Sequence, residues 1–113
     1  MASRKPTEDN KTGTEVRDLL RAVYVGDFQS AKMALEAGTP VDVTDPETGL
    51  CSFHIAIGTD NLFLAKYLRE QWHAAVFPDA RGRLPTVIAA QCRTSEAMNE
   101  YVLEVELKAL GLE

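Results

Sequence analysis

The sequence predicts an all-α fold, a solenoid of stacked helix-turn-helix units with short loop fingers, from three observations. First, the chain repeats itself. Residues 49–57 (GLCSFHIAI) align with residues 82–90 (GRLPTVIAA) at an offset of 33, matching Gly49 to Gly82, Ile55 to Ile88 and Ala56 to Ala89. Residues 22–43 match the second half of the same unit at an offset of 34, with Gly26 at Asp60, Ala31 at Ala65 and Lys32 at Lys66. Second, the apolar residues inside each unit fall at helical spacing. Third, segments rich in Pro, Gly and Asp, at 43–49 and 77–83, separate one unit from the next. A helix pair this short cannot bury its apolar face alone, but stacked copies bury a shared core.

Each element has its own signal. Residues 1–15 carry three basic and three acidic side chains, Pro6, Gly13 and no periodic apolar pattern, so they read as a disordered tail. The folded domain is expected over 16–113, in units of about 17–48, 49–81 and 82–113. In the first unit Leu19, Leu20, Val23 and Tyr24 make one stripe, Gly26-Asp27 breaks it, and Phe28, Ala31, Met33 and Leu35 begin a second. Gly38 suits the left-handed stop of that second helix. The second unit has Phe53, Ile55, Ala56 and Ile57, a break at Thr59-Asp60-Asn61, then Leu62, Leu64, Ala65, Tyr67 and Leu68. The third has Val87, Ile88, Ala89 and Ala90, a break around Arg93-Thr94-Ser95, and a helix from Ser95 to about Leu110. Thr94 or Ser95 can cap that helix, and Glu96 lies in its first turn. Ala22, Ala56 and Ala89 recur where neighbouring pairs must approach closely.

With these residues in place, the sequence resembles the ankyrin repeat, whose pattern runs D-x-x-G-x-T-P-L-H-x-A-A, a short break, a second apolar helix and a G-A-x-V-N turn. The matching residues are Asp79-Ala80-Arg81-Gly82-Arg83-Leu84-Pro85, Gly49 with Phe53-His54-Ile55-Ala56, and Glu36-Ala37-Gly38-Thr39-Pro40-Val41-Asp42. The resemblance covers about residues 17 to 110. It departs at Cys51-Ser52 and Leu84-Pro85, which replace the Thr-Pro pair, and at Val87, the counterpart of His54. Trp72 stands where the first unit has Gly38, so either the helix runs on or Trp72 covers the stack. The first unit reads as an N-terminal cap and the third as a C-terminal cap.

Composition narrows the function. At 113 residues the chain is one domain. Its net charge of −5 lacks the basic footprint of a nucleic-acid binder. No apolar run approaches the ~18 residues of a membrane span, and the charged N-terminus is no signal peptide, so a cytoplasmic protein without membrane contact is expected. Cys51 and Cys92 form no disulfide framework. Cys51 and His54, at i and i+3, have a thiol–imidazole reading, but no third group or oxyanion donor accompanies them. By the resemblance Cys51 replaces the repeat's Thr, and His54 is a structural imidazole bonded within its own turn. His73 reads as a turn residue. Two dispersed histidines and two cysteines make no metal site, and no Gly-x-Gly phosphate loop occurs. Neither a cofactor nor an enzymatic activity is expected.

Proteins of the resembled family bind other proteins through loop tips and the exposed positions of the first helices. By position those are Tyr24 and Val25 in the first unit and Glu47, Thr48, Leu50, Gly58 and Thr59 in the second. In the third they are Ala80, Arg81, Arg83, Gln91 and Cys92. Tyr24, Val25 and Leu50 would be apolar contacts, or Val25 and Leu50 pack locally; Arg81 and Arg83 would be anchors. On the last helix Met98, Tyr101, Val102, Val105 and Ala109 are expected to face the stack. Leu103, Leu107 and Leu110 fall opposite, as a second candidate interface, unless the helix curls to cover both sides. Five of the six charges after Arg93 are acidic, which suits a partner with a basic surface or a solvated end. The expected function is therefore a non-catalytic protein-binding module, an adaptor, immunity-like factor or inhibitor, existing as a monomer or weak homodimer. The alternative is an assembly protein that self-associates through its last helix.

Overall fold

A computed structural model of the chain describes residues 16–112, so the tail expected at 1–15 lies outside the described residues. The described residues form six helices and no strand: α1 (Val16–Val25), α2 (Phe28–Glu36), α3 (Ser52–Gly58), α4 (Leu62–Trp72), α5 (Pro85–Gln91) and α6 (Glu96–Ala109). They pack as three successive pairs, α1 on α2, α3 on α4 and α5 on α6. The first helices line up, α1 against α3 and α3 against α5. None of the described helices is long and apolar enough to cross a membrane.

The joint inside each pair is built the same way three times. Gly26, Asp60 and Arg93 occupy equivalent positions, and all three take positive φ, at 79°, 58° and 53°. The next residue then donates its N–H back into the first helix: Asp27 to Ala22 O, Asn61 to Ala56 O and Thr94 to Ala89 O, at 2.8, 2.8 and 3.1 Å. A left-handed residue is what lets the chain reverse while still satisfying the helix's last carbonyls. The second helices start on side-chain caps. The Asp27 carboxylate accepts from Ser30 N–H, the Asn61 amide oxygen from Leu64 N–H, and the Ser95 hydroxyl from Met98 N–H.

Burial follows the repeat. The alanine row Ala22, Ala56 and Ala89 is buried, and Leu19, Val23, Phe53, Ile57, Leu64, Leu68, Ile88, Met98 and Val102 fill the space around it. Each large side chain fully removed from water contributes about 1.5–3 kcal/mol before entropy is counted. Between pairs the contacts are aromatic. Phe28 meets Phe63 and Tyr67 edge-on at 5.1 and 4.8 Å. At the next junction Lys66 lies 5.5 Å over the Tyr101 ring and the Tyr101 hydroxyl donates to Glu70. Burial and the negative charge of Glu70 push the Tyr101 phenol up to about 12.

Expectations about the stripes are corrected at Met33, Val87 and Ala109, and the alternative left open at Trp72 is decided. Met33 and Val87 are exposed rather than core; Tyr24, also in a stripe, is exposed as well. Ala109, expected to face the stack, lies in the exposed last turn of α6. At the Gly38-equivalent position the helix runs on through Trp72, which is half-buried against the core. The left-handed residue comes one position later, at His73, with φ 57°.

Candidate functional site

Two fingers connect the pairs, and both turn on an aspartate. In the first, Asp45 accepts the N–H groups of Glu47 and Thr48 at 2.7 and 3.4 Å, while its backbone N–H donates to Leu50 O. Thr44 and Cys51 form an antiparallel bridge at its base. In the second, the buried Asp79 accepts the N–H groups of Arg81 and Arg83, both at 2.9 Å, and the Arg83 guanidinium at 2.7 Å. Burial would raise this carboxyl, but hydrogen bonds from the Arg83 backbone and guanidinium and from Arg81 N–H outweigh it and hold it below the usual range.

The fingers are stitched to one another. Ala80 N–H donates to Thr48 O at 3.1 Å, and this approach depends on Gly49. Gly49 has φ +70°, and a Cβ there would sit 2.5 Å from the Ala80 nitrogen. Behind the fingers, His54 joins two units. Its Nδ1 accepts from Cys51 N–H at 3.1 Å, as a bond within its own turn, and its Nε2 lies 2.7 Å from Phe77 O. A carbonyl can only accept, so the imidazole is the neutral Nε2–H tautomer; burial keeps its pKa below the usual histidine value. Burial also pushes the Cys51 thiol up, away from a nucleophilic thiolate.

In front of the first finger lies an open groove of about 550 Å³, lined by Leu20, Tyr24, Leu50 and Ile55, with Asp18, Arg21, Asp45 and Thr48 at its polar edge. It unites three sequence-predicted contacts, Tyr24, Thr48 and Leu50. Tyr24 is 67% exposed, whereas Leu50 is half-buried against the core, so its local packing and its exposure to the groove coexist. Sequence reasoning missed Leu20, Ile55, Asp18, Arg21 and Asp45. The first two belong to the helical stripes and read as core; only the mouth left between α1 and the finger shows that Ile55 is half-exposed.

The other predicted residues divide. Val25 does not line this groove; with Met33 and Ala34 it lines a cleft of about 430 Å³ between α1 and α2. Glu47 and Arg81 are exposed at the two fingertips. Thr59 lies at the opposite end of α3, with its hydroxyl donated to Ile55 O. Arg83 and Gln91 are not free anchors: the guanidinium bridges Asp79 and Gln91 Oε1, the latter at 2.9 Å, and so clasps the second finger to α5.

On the last helix, Met98, Val102 and Val105 are buried, while Leu103 and Leu110 are 52% and 49% exposed and Leu107 is half-buried. The helix does not curl to cover both sides. Among the described residues no cluster of His, Cys, Asp and Glu could hold a metal ion, and both cysteines are free. A scan against protein-family models gives no match, and a search of curated proteins gives no significant one.

Proposed function

We propose that the chain is a non-catalytic protein–protein interaction module, a short ankyrin-type solenoid that acts as a small binder, adaptor or inhibitor of a partner protein. One observation carries this reading. An apolar groove containing an exposed tyrosine is held open by rigid elements, with the hydrogen-bonded finger on one side and α1 on the other. Tyr on a preorganised surface gives binding energy with little ordering cost, as protein interfaces require. The ankyrin-type assignment is supported by the threefold joint, by the two aspartate-turned fingers and by His54, which links one unit's first helix to the following finger.

Affinity capture with the folded wild-type chain, Leu50→Asp, Tyr24→Ala and Arg81→Glu tests the reading. A partner retained by wild type and lost about tenfold or more with Leu50→Asp or Tyr24→Ala supports it, and Arg81→Glu reports whether the fingertips share the contact. If nothing is retained, or if both groove variants retain what wild type does, the groove is not the binding surface.

A further inference from the structure

We propose that the outward face of α6 docks an amphipathic helix of a partner protein, apolar over one half of its length and basic over the other. This surface is separate from the groove. Met98, Val102 and Val105 point α6 into the stack, and Leu103, Leu107 and Leu110, at i, i+4 and i+7, fall on the opposite side. The end of the helix enlarges the patch. Gly111, at φ 73°, reverses the chain, with Gly111 N–H donated to Lys108 O and Leu112 N–H to Leu107 O. That bonding pattern returns the residue after the glycine toward the residue at Leu107, and Leu112 stays 68% exposed.

The same stripe continues toward the N-terminus of α6 as Glu100 and Glu96, both exposed and neither in an ion pair among the described residues. Exposed Glu104 flanks them; its ion pair to Lys108 is a long and solvated 3.8 Å. The face is thus leucine over one half and carboxylate over the other.

This polarity selects the occupant. A second copy of α6 laid parallel would set Glu96 and Glu100 against the same glutamates, and laid antiparallel it would press them onto the leucines of its partner. Both arrangements are unfavourable. Residues 1–15 cannot cover the patch either, since Met1 is their only large apolar side chain. A helix with aliphatic residues facing the leucines and Lys or Arg facing the glutamates satisfies both halves.

A displayed library of amphipathic helices, varied independently in the charge of each half, tests this on the intact chain. Selection should enrich helices with an aliphatic stripe in one half and Lys or Arg in the other. Leu103→Lys and Leu110→Lys should each cut their affinity by about tenfold or more. Glu100→Lys should weaken binding and flatten its salt dependence, and Leu50→Asp in the groove should leave it unchanged. All three α6 positions are exposed, so these variants keep the fold, which the unfolding midpoint checks. The proposal fails if no enriched helix depends on α6 or if the enriched helices carry no basic half. It also fails if the wild-type chain sediments as a dimer that Leu103→Lys dissolves, which would make a second copy the occupant.

Discussion

At the scale of single residues, two glycines at equivalent positions separate backbone strain from steric contact. Gly49 and Gly82 both take positive φ, +70° and +78°, but an added Cβ meets Ala80 at Gly49 and nothing within 4 Å at Gly82. Gly82→Ala should therefore lose only the left-handed preference, about 1 kcal/mol, while Gly49→Ala should lose about 2–3 kcal/mol in urea unfolding. Equal losses would mean that the fingers do not depend on the approach of Ala80 to Thr48. His54 makes a second prediction at this scale. Its folded pKa lies below the ordinary value of 6.5 because burial disfavours the imidazolium. A proton added at Nδ1 would also face the Cys51 N–H that this nitrogen now accepts. Between the lowered folded pKa and about 6.5 the unfolded chain binds more protons than the folded one, so stability falls as pH drops through that window. Unfolding midpoints compared at about pH 7 and pH 5 should fall for wild type and fall less for His54→Gln; parallel curves would remove His54 as the source.

At the scale of elements, the joints were the most legible features, because each break in an apolar stripe is decided within four or five residues; of the caps, only that of the last helix, at Thr94 or Ser95, was read from the sequence. Asp27, Asn61 and Ser95 stand at breaks in the apolar stripes, and each accepts the N–H three residues on. Ser95 carries an extra duty, donating its hydroxyl to Asp60 at 3.0 Å and so tying the joint of the second pair to the start of α6. Ser95→Ala should cost about 1 kcal/mol, and Ser95→Asp, which keeps the acceptor but places a carboxylate beside Asp60, should recover only part of it. Chemical denaturation of the two variants checks the order; full recovery by Ser95→Asp would show that the Asp60 contact contributes nothing. What could not be read were pairings that cross a turn. Arg83 looks like a free fingertip cation in the sequence, yet Asp79 and Gln91, four residues before it and eight after, close on it once the finger folds against α5. The groove was half legible for the same reason. Tyr24 and Leu50 break the polar default at positions where solvent is expected, whereas Leu20 and Ile55 sit in stripes beside the buried Leu19, Val23, Phe53, Ala56 and Ile57, and periodicity alone cannot say that one stripe residue reaches a groove.

At the scale of the molecule, the three pairs should differ in local stability according to how many neighbours each has. The α3–α4 pair packs on both others, through α1 and Phe28 on one side and through α5, Lys66 and Glu70 on the other. Each outer pair has one neighbour, and in a stack held by nearest-neighbour contacts the local opening free energy should peak in the middle. The two junctions are unlike. The first is aromatic and the second leans on a cation over a ring and two hydroxyl–carboxylate bonds, Tyr101 to Glu70 at 3.3 Å and Ser95 to Asp60 at 3.0 Å, so the third pair should open more readily than the first. A clamp between its own helices limits this: Glu106 accepts both the N–H and the hydroxyl of Thr86 at 3.0 Å, binding α6 to the start of α5. Native-state hydrogen exchange should therefore show the slowest amides in α3 and α4, with those of α5 and α6 exchanging together as one faster unit. Glu106→Gln keeps the shape but removes the charge and one acceptor, so it should loosen α6 and raise its exchange without changing the rates in α1 and α2. If α5 and α6 exchanged at the rate of α3 in wild type, the stack would open only as a whole, and the weak second junction would have no consequence for which surface is presented to a partner.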